Sequence, residues 1–467
     1  MTARRILLPV VLASIQLGIP TAGRAQWVEF GTPVCQFGSD QSYHELAPDG
    51  QGGMILVYES GDPTDIYAQR LDAFGNPLWA PGGVPVCSWS NYQGRPCIVA
   101  DGQGGAVIAW FDWRNGNTDI FAQRVDQDGN RLWTTGGVAL CTETAAQTYP
   151  RCASDGAGGA IVAWKDERGA DADIYAQRID LGGAVRWTAN GVRLTNAPLW
   201  QDNVQVAADG YGGAIFVWQG GDLAIQRVNA YGAVQWGDAG KVVDALADSP
   251  FNPVISEETP YGFFLAWEAR GGAFDDGIYA QRIDLYGNPR WTGGGLLVND
   301  EANDQELPAL TCDGQGGVII TWQDRRAGSG TTDLYAQRLS STGVPQWTAT
   351  GAPVCVDAAI TQYSPQIVGD GVGGALIAWS DERNGYEDIF IQHLDAGGAD
   401  QWGSTGLPVA VDHLQQYWTR MLPDGLGGAL LSWMDLRAGN RDVYAQRIDR
   451  FGYWGYPAPA AASAADV

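Results

Sequence analysis

One repeating unit makes up almost the whole chain, and this repeat limits the possible folds more than any other feature. A short apolar run that ends in an aromatic residue recurs about every 54 residues. Its eight copies are Tyr58, Trp110, Trp164, Trp218, Trp267, Trp322, Trp379 and Trp433. Each unit also contains further short β-rich segments separated by Gly-rich turns, and none has a helical period. Four strands per unit predict an all-β fold, an eight-bladed β-propeller of four-stranded antiparallel blades.

The strands of a unit are named A to D in chain order. Strand A precedes an Asp-Gly turn, strand B carries the recurring Trp, strand C contains Tyr-Ala-Gln-Arg, and strand D follows a Gly. We expect strand A to line the central channel. The B–C and D–A loops should then share one face of the ring, which is where ligands usually bind in this architecture.

The two ends of the chain supply complementary parts of one blade. The eighth unit stops after strand C at Asp449, and no strand D follows. Residues 26–35 match residues 346–355 at Trp, Gly, Pro, Val and Cys, which makes them a strand D without a unit of its own. Pairing these ends would remove an exposed sheet edge. The sequence therefore predicts a ring closed by an N-terminal strand that completes the last blade.

The N-terminal residues have the pattern of a signal peptide. Arg4 and Arg5 precede an apolar run, and small residues at Gly23 and Ala25 suit a cleavage site. We assign residues 1–25 to a signal peptide, 26–452 to the propeller and 453–467 to a Pro/Ala-rich tail or linker. This predicts a secreted or cell-surface protein, with no further segment able to span a membrane.

The charge balance excludes two classes of partner. The formal net charge is −25, so a nucleic acid or an anionic membrane surface would meet a repulsive field. A cationic ligand would suit this charge, and so would simple solubility, which we favour as the reason for it.

Seven cysteines are present, and export makes disulfides possible. Cys87 and Cys97 flank one inter-unit loop, and Cys141 and Cys152 flank the next, so we expect the disulfides Cys87–Cys97 and Cys141–Cys152. The pairing of Cys35, Cys312 and Cys355 stays open. The Cys and His spacings predict no metal site and no cofactor, and calcium binding at the Asp-rich turns stays open.

A Gln precedes the Asp of the Asp-Gly turn by eight residues in seven units. These candidates are Gln41, Gln93, Gln147, Gln201, Gln305, Gln362 and Gln416. A ring of amides at the channel mouth could grip a polar ligand. Alternatively, each amide could hydrogen-bond loop backbone and hold the scaffold.

An Asp-x-Arg sequence ends strand B in five units, and a further Asp opens strand C. The arginines are Arg114, Arg168, Arg326, Arg383 and Arg437. A guanidinium flanked by two carboxylates predicts a loop staple, and the alternative is a ring that binds carboxylated sugars. The Arg of the Gln-Arg pair inside strand C should be partly buried, so we expect it to pair with an Asp of its own or a neighbouring blade.

The unit Asp-Gly-x-Gly-Gly-Ala-x-x-Ala-Trp-x-Asp-x-Arg, followed by Asp-Ile-Tyr-Ala-Gln-Arg-Ile-Asp, resembles repeats of uncharacterised secreted bacterial β-propeller proteins. Many of those proteins end in a cell-surface sorting or immunoglobulin-like module. The resemblance implies surface attachment through such a module, which the present chain would lack after residue 459. It provides no catalytic residues.

Three functions remain compatible with the sequence. The first is a non-catalytic binding or structural module whose polysaccharide or protein ligand lies at the channel mouth. The second is a polysaccharide-active enzyme of hydrolase or lyase type, which needs a non-repeated acidic or His cluster because a transition state lacks the symmetry of the ring. The third is a self-assembling surface-layer or filament subunit. Units four and five depart most from the repeat, so we expect function there or at the Gln ring.

Overall fold

The computed structural model describes residues 27–35, 38–244, 250–256, 262–270, 276–299, 301–328, 330–357 and 359–455. These residues form 32 strands in eight four-stranded antiparallel sheets, which confirms the predicted eight-bladed β-propeller. The proposed signal peptide and residues 456–467 of the proposed tail lie outside the described residues.

The first four blades follow the chain without interruption. Blade 1 contains β2 (Gln41–Pro48), β3 (Met54–Ser60), β4 (Asp65–Leu71) and β5 (Val84–Cys87). Blade 2 contains β6 (Gln93–Ala100), β7 (Ala106–Asp112), β8 (Asp119–Val125) and β9 (Val138–Cys141). Blade 3 contains β10 (Gln147–Ser154), β11 (Ala160–Asp166), β12 (Asp173–Ile179) and β13 (Val192–Arg193). Blade 4 contains β14 (Asp202–Ala208), β15 (Ala214–Gln219), β16 (Leu223–Val228) and β17 (Lys241–Val242).

The remaining blades complete the ring, and the last one takes its outer strand from the N-terminus. Blade 5 contains β18 (Phe251–Ile255), β19 (Phe263–Arg270), β20 (Asp276–Ile283) and β21 (Leu296–Asn299). Blade 6 contains β22 (Gln305–Cys312), β23 (Val318–Asp324), β24 (Asp333–Leu339) and β25 (Ala352–Cys355). Blade 7 contains β26 (Gln362–Gly369), β27 (Ala375–Asp381), β28 (Asp388–Leu394) and β29 (Leu407–Ala410). Blade 8 contains β30 (Gln416–Pro423), β31 (Ala429–Asp435), β32 (Asp442–Ile448) and β1 (Thr32–Pro33).

The recurring aromatic residue of strand B forms the core between blades. The seven tryptophans at this position and Tyr58 are at most 1% exposed. They pack against the Gly that opens strand D: a Cβ added at Gly137 would lie 2.7 Å from the Trp110 ring, and the φ of this Gly is 88°. A side chain at that position would therefore meet both a clash and an unfavourable backbone conformation. This explains why a Gly recurs there.

Ion pairs and hydrogen bonds link each blade to itself and to the next. In blade 3, Arg178 pairs with Asp155 at 3.0 Å. Its Nη1 also donates to the Ala230 carbonyl of blade 4 at 3.0 Å, and Trp187 Nε1 donates to the same oxygen at 3.1 Å. The predicted pairing of the strand-C cation with an Asp is confirmed. The pairs are Arg70–Asp49, Arg124–Asp101, Arg178–Asp155, Arg227–Asp209, Arg338–Asp313, Arg447–Asp424 and His393–Asp370.

The ring is closed at blade 8 by the two ends of the described chain. Strand β1 pairs with β32 through Thr32 opposite Ala445. Trp27 Nε1 donates to the Ala73 carbonyl of blade 1 at 3.0 Å, which is the contact that Trp187 makes to blade 4. The outer part of the blade continues at the other end of the chain through Trp454, which bridges to Ile448. Closure by an N-terminal strand is thus as predicted.

The two expected disulfides are wrong. Cys97 is bonded to Cys152, with a Cα–Cα distance of 5.8 Å, and this bond joins the innermost strands of blades 2 and 3. Cys87 and Cys141 end the outermost strands of blades 1 and 2, where their sulfurs accept from Arg114 and Arg168. The expected partners lie far apart because each loop connects the outermost strand of one blade to the innermost strand of the next.

No helix that could cross a membrane occurs among the described residues.

Candidate binding site at the channel mouth

The seven predicted glutamines lie at the start of strand A, and their side chains are buried. All are at most 1% exposed. Each Nε2 donates to a backbone carbonyl two residues earlier in the D–A loop, as Gln147 does to Ala145 at 2.6 Å and Gln362 to Ile360 at 2.9 Å. This geometry holds the loop, and it presents no amide to the channel.

Four of the five arginines of the Asp-x-Arg loops share one geometry. Arg326 Nε donates to Asp324 Oδ1 at 2.8 Å, and its Nη2 donates to the Thr350 carbonyl before strand D at 2.9 Å. Its guanidinium also lies 3.8 Å from the centre of the Tyr335 ring. Arg168, Arg383 and Arg437 make equivalent contacts. Arg114 also binds its Asp, a carbonyl before strand D and a strand-C ring, but both hydrogen bonds come from Nη2, and its Nε has no hydrogen-bond partner among the described residues.

The staple differs from the expected one in its second acceptor. The Asp that opens strand C is held by other groups: Asp119 accepts from Asn115 at 2.5 Å, and Asp388 accepts from Asn384 at 2.7 Å. The second acceptor of each Arg is a backbone carbonyl instead. Burial is the first cause that raises the pKa of Asp119 and Asp388 above the ordinary value.

Every strand A contains a β-bulge two residues after the Gln position, and this bulge shapes the channel mouth. The pairing with strand B shifts register there in all eight blades. The bulged residue has a positive φ, between 44° and 55°, although none of the eight is Gly. We call these eight residues the lip. They are Tyr43, Arg95, Tyr149, Asn203, Asn252, Leu307, Ser364 and Trp418. Strained backbone at a repeated position is compatible with a functional surface.

Side chains of the preceding blade hold several lip residues in place. Glu59 Oε1 accepts the N–H of Arg95 at 2.6 Å, and Glu268 Oε1 accepts the N–H of Leu307 at 2.6 Å. In blades 4 and 6 a Gln takes the place of Glu and accepts the N–H of the next lip residue at 3.1 Å. The strained backbone is therefore fixed by hydrogen bonds between blades.

The lip is asymmetric, because its aromatic and basic residues are neighbours. Trp418 and Tyr43 have ring centres 5.2 Å apart. The Arg95 guanidinium lies 3.8 Å from the Tyr43 ring centre and 5.3 Å from that of Tyr149. Trp418 is 40% exposed and Tyr149 is 45% exposed, so solvent reaches their faces. We call this part of the lip, in blades 8, 1, 2 and 3, the aromatic side.

The channel below the lip is lined by a second ring from strand A. Its residues are Glu45, Cys97, Arg151, Gln205, Val254, Ala309, Gln366 and Arg420. A cavity of about 550 Å³ lies on the side of blades 4 to 8, and one of about 460 Å³ lies deeper in the channel. Between Tyr43, Arg95 and Trp418 lies a smaller cavity of about 190 Å³. The two larger volumes lie in the range of small-molecule binding sites, and the third is smaller.

Two titratable groups beside the lip are buried, and one of them, His44, also lines the cavity of about 190 Å³. His44 is 2% exposed, and its burial lowers its pKa to about 3, so the ring is neutral at neutral pH. Glu268 is 1% exposed, and burial raises its pKa to about 7. Its carboxylate accepts from Asn252 as well as from Leu307. Both of these hydrogen bonds hold lip residues in position.

The lip itself was missed by the sequence reasoning. The predicted Gln positions lie two residues before the lip. Blades 4 and 5, where the sequence also predicted function, contribute Asn203 and Asn252 to the lip. A signal was available: the residue two positions after each Gln differs from unit to unit, whereas its surroundings repeat. Variation at one position of an otherwise repeated unit is typical of a side chain that does not pack in the core.

Fold and site together define an eight-bladed β-propeller with an asymmetric aromatic and basic channel mouth. Neither a protein-family model nor a curated protein matches the sequence. Among solved structures, polysaccharide lyase Uly1 is 10% identical over 94% of this chain and 96% of its own, with a TM-score of 0.46. An α-L-arabinanase from Penicillium chrysogenum, complexed with arabinobiose, is 13% identical over 76% and 92%, with a TM-score of 0.38. A protein of unknown function from Dyadobacter fermentans is 12% identical over 67% and 98%, also with a TM-score of 0.38. Likeness at this level assigns neither ligand nor activity.

Proposed function

We propose that the protein is an exported, non-catalytic module that binds a polysaccharide across the aromatic side of the lip. The observation that carries this proposal is the row of Trp418, Tyr43, Arg95 and Tyr149, which is partly exposed at the mouth of the channel. Flat aromatic faces with polar edges suit sugar rings, which also present apolar faces and polar edges. The opposite side of the lip adds amide and hydroxyl groups from Asn and Ser.

The placement of three acidic groups near the lip supports binding without catalysis. Glu45 of the second ring is held in an ion pair with Arg420 at 3.1 Å. Glu59 and Glu268 are each 1% exposed and accept backbone N–H groups of the lip. A general acid or base must reach the reacting atom, and these two carboxyls are used up in positioning the lip. The Gln ring acts in the same way, through the D–A loops that lead into the lip.

Export is supported by the disulfide between Cys97 and Cys152, because such bonds persist in oxidising compartments. An extracellular setting is also where a polysaccharide ligand would be met.

A glycan array with purified protein tests the proposal, and Trp418→Ala is the diagnostic variant. Truncation of an aromatic residue at the centre of a binding site costs about tenfold or more in affinity. The matched control is Trp113→Ala, which removes a Trp that is 49% exposed in the B–C loop of blade 2, outside the lip. We expect array hits that are lost in the first variant and kept in the second. Binding that is unaffected by Trp418→Ala, or cleavage of a bound glycan, would contradict the proposal.

A further inference from the structure

We propose that the polysaccharide is anionic, and that Arg95, Arg151 and Arg420 together bind its carboxylate or sulfate groups. This inference rests on the proposed function and names the chemical class of its ligand. None of these three arginines belongs to the repeated Asp-x-Arg or Gln-Arg elements.

The channel rings are basic, although the protein as a whole is acidic. The lip contains one Arg and no acidic residue, and the second ring contains two Arg and one Glu. The chain as a whole has a formal charge of −25. The channel therefore concentrates positive charge where a ligand would enter.

Arg95 is oriented for binding but has no ion pair among the described residues. Its guanidinium lies between the Tyr43 and Tyr149 rings, at 3.8 Å and 5.3 Å from their centres. Its backbone N–H is fixed by Glu59, whose second oxygen accepts from Ser42 at 3.0 Å. Aromatic contacts hold the plane of a guanidinium and leave its N–H edge available. Such an edge can donate two parallel hydrogen bonds to a carboxylate or sulfate.

Arg151 and Arg420 extend the cluster below the lip. Arg420 Nε pairs with Glu45 Oε2 at 3.1 Å. Arg151 makes one side-chain hydrogen bond in the described structure, to the adjacent Pro150 carbonyl at 3.4 Å, and no ion pair. Burial is the first cause that lowers the pKa of Arg151, and the neighbouring Arg420 and Arg95 lower it further, whereas Glu45 opposes them. Two carboxylates thus act on this cluster of three cations, Glu45 on Arg420 and Arg151, and Glu59 on Arg95. The cations still outnumber them, and a bound anion would reduce the remaining repulsion.

The position of the cluster relative to the aromatic residues favours a charged sugar over a free small anion. Arg95, Arg420, Trp418 and Tyr43 line the same cavity of about 190 Å³. A ligand that fills this cavity meets aromatic faces and guanidinium groups at once. A uronic acid or a sulfated sugar combines a ring with an anionic group at this scale.

The test compares three sets of soluble probes by isothermal titration calorimetry: oligogalacturonates, sulfated carrageenan oligosaccharides, and neutral xylo-oligosaccharides. The variants are Arg95→Gln and Arg151→Gln. The matched control is Arg131→Gln, which removes the same charge from an exposed residue of the C–D segment in blade 2. Thermal midpoints establish that each variant is folded.

We expect one of the two anionic sets to bind, and to bind more tightly than the neutral set. Loss of Arg95 or Arg151 should weaken binding about tenfold to a hundredfold, as is usual for hydrogen bonds to charged groups. The Arg131→Gln variant should bind as the parent protein does. Added salt should weaken the anionic interaction, because it screens the charges. Comparison of the carboxylated and sulfated sets identifies the anionic group.

Two different failures are distinguishable. Equal binding of neutral and anionic probes, unaffected by either Arg variant, overturns the inference and leaves the proposed function intact. If no oligosaccharide of any set binds and the glycan array is also empty, both the inference and the proposed function are overturned.

Discussion

At the scale of single residues, Glu268 shows how the site and the stability of the fold are coupled. Its carboxyl is buried, accepts the N–H of the lip residue Leu307, and has a pKa raised from the ordinary 4.5 to about 7. The folded protein therefore keeps a proton that the unfolded chain releases at lower pH. The free energy of unfolding should fall as the pH rises from about 4.5 to about 7, and the loss should be complete above pH 7.

The variant Glu268→Gln should remove this pH dependence. Gln219 and Gln323 occupy the same position in blades 4 and 6 and accept the equivalent N–H groups, so the substitution keeps the contact. A pKa change of this size corresponds to roughly 3 kcal/mol. We expect the variant to gain up to that amount relative to the parent at pH 8, and much less at pH 4.5, in denaturant unfolding. Parallel pH profiles for the two proteins would show that Glu268 does not hold the proton.

The disulfide between Cys97 and Cys152 could not be predicted from the sequence. Cys97 and Cys152 occupy neighbouring inner strands, and the bulge in strand A brings residues at different offsets from their Gln into contact. An expectation based on distance along the chain fails there, because strands next to each other in space are more than fifty residues apart. The disulfide also places a covalent link directly below the aromatic side of the lip.

At the scale of the structural element, the Gln of strand C holds the backbone of the segment that leads into the outer strand. Gln177 Oε1 accepts the N–H groups of Arg178 and Trp187 at 2.9 Å each, and its Nε2 donates to the Thr188 carbonyl at 2.7 Å. The side chain is fully buried. The side chain thus provides hydrogen-bond partners for three backbone groups, two of which belong to the segment before the outer strand.

The variant Gln177→Ala should therefore be strongly destabilising. Each buried backbone group left without a partner costs about 1 to 3 kcal/mol. Gln147→Ala provides the comparison, because Gln147 is equally buried but makes one hydrogen bond, to Ala145. We expect the thermal midpoint to fall further for Gln177→Ala than for Gln147→Ala. Equal losses would mean that packing, and not the hydrogen bonds of the outer strand, determines the role of Gln177.

The elements were predictable where they repeat and unpredictable where they do not. Strand order, core Trp residues and the strand-C ion pairs follow from turn and apolar patterns present in nearly every unit. The bulge in strand A has no local marker in the sequence, since no Gly occupies its positive-φ position, and only the variation at that position from unit to unit distinguishes it. The lip depends on that bulge, which is why the channel-mouth residues Tyr43, Arg95 and Trp418 were not identified from the pattern.

At the scale of the whole molecule, the ring depends on a contact between chain ends. Trp27 is 6% exposed and donates to the Ala73 carbonyl of blade 1, and Trp187 is 7% exposed and makes the same contact inside the continuous chain. Both outer strands pair over two residues, β1 with β32 and β13 with β12. The two positions differ in their connection: β13 follows β12 in the continuous chain, whereas β1 and β32 come from opposite ends of the chain. Loss of Trp27 should release the terminal segment, and loss of Trp187 should leave the ring closed.

Comparison of Trp27→Ala with Trp187→Ala tests ring closure. Truncation of a buried Trp costs about 3 to 5 kcal/mol at either position. In addition, we expect Trp27→Ala to expose the edge of β32, with rapid proteolysis of the N-terminal segment and self-association in size-exclusion chromatography. Identical proteolysis patterns and monomeric elution of both variants would show that Trp27 does not hold the ring shut.

The central claim is that the aromatic side of the lip is a glycan-binding surface, and the most direct measurement is a crystal structure with the tightest-binding oligosaccharide of the array. We predict sugar rings in contact with Trp418 and Tyr43, with an anionic substituent at the Arg95 guanidinium. An ordered oligosaccharide bound elsewhere on the propeller, with the lip unoccupied at saturating concentration, would contradict the claim.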